Sequence, residues 1–157
     1  MLRKYLMIFL VSMVPLIELR CAVPMAVAMD LDYWTALVVC VLGNMMPVPI
    51  IYFFARKVLI WGADKKYIGK FFRFCLEKGE KGGQKLTAKA GRGGLFMALM
   101  LFVGVPVPGT GAWTGTLAAS FLNMGIKSTA GAVSLGVVIA GIIMGVGSHT
   151  ALHVFGF

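Results

Sequence analysis

Gly104-Val105-Pro106-Val107-Pro108-Gly109-Thr110-Gly111 is the stretch on which the fold turns. It lies at the centre of residues 95–122, which carry no charged side chain. The prolines remove backbone donors and clash with the preceding turn, and the glycines add backbone freedom. A continuous helix through the octet is therefore not expected. Two apolar pieces remain, Leu95–Val105 and Ala112–Leu122, each 11 residues long. At 1.5 Å per residue each spans about 16 Å, roughly half a bilayer core. Two half-helices meeting at a bent tip make a re-entrant hairpin.

Working outward, the same character appears at the start of the chain. The apolar run Tyr5–Val14 gives way to Pro15-Leu16-Ile17-Glu18-Leu19-Arg20-Cys21-Ala22-Val23-Pro24, and Met25–Met29 leads to Asp30 and Asp32. Prolines at both ends with two opposite charges between them again suggest a tip, so residues 5–29 read as a first hairpin. Ala26-Val27-Ala28 has the small-x-small form of a signal cleavage site, but Glu18 and Arg20 between it and the apolar run argue against cleavage. Only two stretches look able to cross a bilayer plainly: about 33–55, and about 128–150, entered at Lys127. Glycines 131, 136, 141, 145 and 147 in the second provide surfaces for close helix packing.

Composition agrees with lipid as the solvent. Hydrophobic residues make up 59% of the 157 and charged residues 13%, against about a quarter charged in soluble domains. From Arg56 to Arg92 there are eleven basic and three acidic residues, which carry eight of the formal net charge of +9. No nucleic-acid motif accompanies this charge, so its expected partner is the anionic inner leaflet. Tyr67, Ile68, Phe71, Phe72 and Cys75 recur at helical spacing with Lys66, Lys70, Arg73 and Glu77 elsewhere. This predicts an amphipathic helix on the membrane surface, broken by Gly79, Gly82 and Gly83.

The expected fold is thus an all-α integral membrane protein of two inverted modules. Each is a re-entrant hairpin followed by a transmembrane helix, and a basic amphipathic segment (56–92) joins them. Inverted repeats with broken helices meeting near the midplane are a transporter plan. The competing arrangement is four full spans, about 5–29, 33–55, 95–122 and 126–150.

Glu18 and Arg20 carry the sharpest chemical signal. A charge at the centre of a membrane helix costs about 2.5–3.5 kcal/mol on insertion scales, so an intramembrane pair usually has a reason. Glu18 is a candidate proton carrier, and Arg20 a partner for it or for an anionic group through its guanidinium fork. Gly109, Thr110 and Gly111 precede a half-helix start, where unpaired N–H groups and the dipole favour an anion. Trp113 could wall the same cavity. Asn44 precedes Pro47-Val48-Pro49 and could satisfy the carbonyls those prolines free. His149 and His153 are spaced i, i+4, but no third ligand is visible nearby, so no metal is expected. Cys21, Cys40 and Cys75 lack metal-ligand spacing and read as packing residues. There is no nucleophile–base set, phosphate-binding loop or zinc quartet, so neither enzyme nor cofactor is expected.

Glu18-x-Arg20-x-x-x-Pro24, Asn44-x-x-Pro47 and Pro106-x-Pro108-Gly109-Thr110-Gly111-x-Trp113 together resemble the putative small multidrug export protein family. That family is in turn distantly similar to the DedA membrane proteins, whose paired re-entrant hairpins are associated with moving polyprenyl-phosphate lipids and with proton-dependent homeostasis. The resemblance implies Glu18 as the proton site, with Arg20 and the Gly-Thr-Gly turn as the phosphate site. The chain is shorter than typical DedA members, and no charged residue occupies 106–113. The resulting expectation is proton-coupled transport of a lipid phosphate or small amphiphile across the cell membrane. Competing expectations are a four-span drug exporter and a non-transporting scaffold. Expected partners are membrane lipids, such a substrate and a second copy in a homodimer.

Overall fold

Asp32 starts the first long helix by a local device. Its carboxylate accepts from the Thr35 amide at 2.9 Å and the Thr35 hydroxyl at 2.6 Å, capping the amides that no helical partner reaches. The computed structural model describes residues 1–15, 17–107 and 110–155. Its elements are α1 (Leu2–Met13), α2 (Glu18–Ala28), α3 (Tyr33–Met45), α4 (Pro47–Ala63), α5 (Gly69–Gly104), α6 (Ala112–Phe121) and α7 (Ile126–Phe155). Every regular element among the described residues is helical.

The helices α3 and α4 run on from one another, because Met46 between them keeps helical dihedrals of φ −60° and ψ −44°. Together they form one apolar helix of 31 residues, Tyr33–Ala63, longer than the 33–55 expected. Residues Ile126–Ala151 of α7 form the second helix long and apolar enough to cross a membrane. Less than half of each is buried inside the molecule. Trp34, Val38, Leu42, Met46, Ile50 and Phe54 recur every fourth residue and all face outward. A stripe of that length on one helix suits lipid rather than water as its neighbour.

The two broken stretches each fold back on themselves. The Lys4 ammonium donates to the Met29 carbonyl at 2.9 Å, so the start of α1 lies beside the end of α2. That end of the molecule also holds the start of α3 and the end of α7, where Tyr33 and His149 rings meet at 6.0 Å. Leu95 of α5 lines one cavity with Leu122 and Asn123, so the α5–α6 pair opens at the opposite end. There Arg56 of α4 donates to the Asn123 side chain, and the Tyr52 hydroxyl to the Met124 carbonyl. The breaks of both pairs meet between the two ends. Around them Ile8, Leu19, Val23, Val103 and Val137 form a core, each no more than 2% exposed. Glycines allow close crossings. A Cβ on Gly136 would meet the Met100 carbonyl at 2.7 Å, and one on Gly43 the Phe9 carbonyl at 2.6 Å.

The basic segment differs from expectation. The helix from Gly69 passes through Gly79, Gly82 and Gly83 without a break. A glycine costs a helix about 1 kcal/mol relative to alanine, which weakens it but does not end it. The interruption comes at Gly91, with φ +70° and ψ 177°, a left-handed φ that glycine adopts freely. At the other end, Phe72 packs over Gly62 and Arg73 Nε donates to the Ala63 carbonyl at 2.9 Å, tying α5 to the last turn of α4. Tyr67, Phe71 and Phe74 remain exposed, and the Cys75 side chain lies outside the described residues.

Candidate functional site

The first tip places its two charges on opposite poles of the second. Glu18 opens α2 with φ +49°, a conformation that costs a non-glycine residue on the order of 1–2 kcal/mol. The residue is 5% exposed. Oε2 accepts from the Ala112 amide at 3.1 Å and Oε1 from the Trp113 amide at 3.0 Å. Those are the first two amides of α6, so the carboxylate caps that helix and meets the positive end of its dipole. The room for it comes from Gly111. A Cβ there would lie 2.7 Å from the Glu18 carboxyl carbon, although its extended backbone (φ −172°) suits any residue.

Arg20 does the converse. Its guanidinium donates to the carbonyls of Val105, at 3.1 Å, and Val107, and to the Thr110 hydroxyl at 2.9 Å. Val105 ends α5, so the cation meets carbonyls that have no helical partner at the negative pole. The fork shape lets one side chain serve all three acceptors. Trp113 returns the tie, since its indole N–H donates to the Met13 carbonyl at the end of α1 at 3.2 Å. Thr114 accepts from the Gly111 amide at 2.9 Å and completes the start of α6.

A cavity of about 180 Å³ lies between the tips, lined by both charged residues and by Thr110, Gly111, Trp113 and Thr114. At about 30 Å³ per water it equals roughly six waters. That admits a phosphate-sized group.

Of the residues singled out from sequence, Glu18, Arg20, Thr110, Gly111 and Trp113 converge here. Pro24 sits inside α2, where it frees the carbonyl of Arg20, and Pro106 follows the end of α5; neither lines the cavity. Asn44 is also away from it. It is 1% exposed and its Oδ1 finds no hydrogen-bond partner among the described residues. Pro108 and Gly109 lie outside the described residues. Sequence reasoning missed Pro15, Thr114 and Leu117. Thr114 had a signal, a hydroxyl three residues after the glycine that opens a helix. The α6 terminus expected to receive an outside anion is filled by the protein's own carboxylate. Among the described residues no three His, Cys, Asp or Glu side chains gather in a metal-like group. The side chain of His153 lies outside the described residues.

A family model described as "Putative small multi-drug export protein" matches residues 18–143, beginning at Glu18 and including Arg20 and the whole second tip. No curated protein and no solved structure matches the chain. With the match spanning most of the chain and the apolar helices in place, this membrane protein belongs to the putative small multi-drug export protein family.

Proposed function

We propose that the protein is a multi-pass cell-membrane transporter that moves a lipid phosphate or small amphiphile in a proton-coupled cycle at the site between the tips. The observation that carries this reading is the crossed capping, Glu18 on the N-terminus of α6 and Arg20 on the C-terminal carbonyls of α5. In the cycle a proton binds the Glu18 carboxylate. The neutral acid keeps fewer acceptor sites and no charge, so its hold on the Ala112 and Trp113 amides weakens. A phosphate oxygen then takes those amides, with Arg20 as its counter-charge. One proton gained and one negative phosphate charge gained leave the net charge of the site unchanged, which suits a low-dielectric setting.

In this reading both helix pairs are re-entrant, enter from opposite faces and form two inverted modules. The Lys4–Met29 bond and the joint lining of one cavity by Leu95 and Leu122 support it. The basic residues of 56–92 and Lys127 lie toward one end, Arg3 and Lys4 with Asp30 and Asp32 at the other. The positive-inside bias makes the basic end cytoplasmic. Proteoliposomes test the function. An acid-driven flux of a short-chain lipid phosphate is expected for the wild type, and a Glu18→Gln form with the same proton dependence would sink the coupling role.

A second reading takes the family's description as drug export, with a small cationic drug bound at the Glu18 carboxylate. Arg20, lining the same cavity, opposes a cation there. Inhibition of flux by a lipophilic cation, with none by a lipid phosphate, would favour this reading.

A further inference from the structure

A second cavity lies away from the tips, at the end where α5 and α6 open. It measures about 770 Å³. One wall is α5 on both sides of its kink, with Gln84 before Gly91 and Arg92 just after it. The facing wall is the α6–α7 connection and the first turn of α7, contributing Asn123, Lys127 and Ser128. Two cations therefore stand on opposite walls with neutral hydrogen-bonding groups between them. No acidic side chain lines the cavity among the described residues. Arg56 adds a third cation at the rim through its bond to Asn123. The first-turn amides of α7 also lack helical partners. Deeper in, the lining turns apolar at Leu95 and Met124, which are 8% and 5% exposed.

We propose that this cavity binds a phosphate-type anion, with Arg92 and Lys127 gripping the charge and the apolar floor receiving the start of an acyl chain. A polar cationic rim over an apolar floor matches an anionic lipid headgroup at the membrane surface. A free phosphate would use the rim alone. Gly91 matters because its left-handed φ sets the angle between the two arms of α5 and so the width of the cavity. Nothing lies within 4 Å of where a Cβ on Gly91 would sit, so an alanine there acts on the kink and not on packing. The site is separate from the Glu18–Arg20 tips and does not depend on the transport reading.

The test equilibrates purified full-length protein with phosphatidylcholine vesicles containing or lacking phosphatidylglycerol. Phosphatidylglycerol retained through detergent extraction is then counted by native mass spectrometry. Each cation near an anionic surface contributes about 1 kcal/mol, about fivefold, so Arg92→Gln with Lys127→Gln is expected to cut retention on the order of tenfold or more. Lys66→Gln with Lys70→Gln removes equal charge outside the cavity, at exposed positions around the start of α5, and is expected to cut retention far less than the cavity pair. The charge-keeping pair Arg92→Lys with Lys127→Arg is expected to restore retention, which separates binding from misfolding. Displacement by inorganic phosphate would support a free phosphate as the source, and resistance to it would support the lipid headgroup. Equal loss in both glutamine pairs, or full retention in the cavity pair, would overturn the proposal.

Discussion

Glu18 and Trp113 stand 95 positions apart in the chain, yet the Trp113 amide donates to the Glu18 carboxylate at 3.0 Å. The Trp113 indole meanwhile holds Met13, five residues before that same glutamate. One residue of the second tip thus grips the first on both sides of its bend. The energetics of the tips follow from this tie.

Replacing Glu18 by Gln removes the charge and turns one acceptor into an amide NH₂ facing a backbone N–H. A buried donor left unsatisfied costs about 1–3 kcal/mol. A lower thermal midpoint in detergent is expected, together with loss of proton-dependent flux in proteoliposomes. An unchanged midpoint would show that the capping bonds contribute little.

Gly111→Ala places a methyl group where the Glu18 carboxylate sits. Overpacking of this kind costs about 1–3 kcal/mol, and here it also displaces the cap of α6. Gly147 has open space around it. Its alanine variant is expected to be neutral or to gain up to about 1 kcal/mol from helix propensity. Unfolding of the two variants side by side checks both signs.

Arg20→Lys keeps the charge but not the fork. An ammonium cannot hold the Val105 and Val107 carbonyls and the Thr110 hydroxyl with one planar group. A loss of stability on the order of 1–3 kcal/mol is expected, approaching that of Arg20→Gln. Wild-type stability in the lysine form would mean that charge alone sets the tip.

The Thr35 hydroxyl, and after it the Thr35 amide, holds the exposed Asp32 carboxyl below its usual range. A folded-state value below the unfolded one contributes stability at pH above the unfolded value of about 3.9. That contribution is lost as pH falls through the lower folded value. Thr35→Val removes the hydroxyl and should raise the Asp32 titration seen by NMR. It should also flatten the acid limb of stability against pH; an unmoved titration would assign the shift to the amide.

Cysteines introduced in place of Gly93 and Asn123, in a chain lacking Cys21, Cys40 and Cys75, should be labelled by an impermeant reagent from one side of the membrane. Those in place of Lys4 and Asp30 should react from the other. Labelling of positions 93 and 123 from opposite sides would restore the four-span arrangement.

Much of this was legible along the chain. The apolar composition and the breaks at Pro15 and at 104–111 act within a turn or two of backbone. They therefore determined that the chain is helical and where two stretches break, and they singled out Glu18, Arg20, Thr110, Gly111 and Trp113, which line one cavity. Local signals also misled. Gly79, Gly82 and Gly83 lower helix propensity, but the helix runs through them and yields only at Gly91, where the two arms of α5 change direction.

Only the tertiary structure decided which freed backbone group each charge would satisfy. A helix start wants a negative partner and a helix end a positive one, but nothing local says whether that partner comes from outside or from 90 residues away. Packing α2 against the second tip brought Glu18 to the amides of α6 and Arg20 to the carbonyls of α5. The apparent anion site thereby became a latch between the two tips.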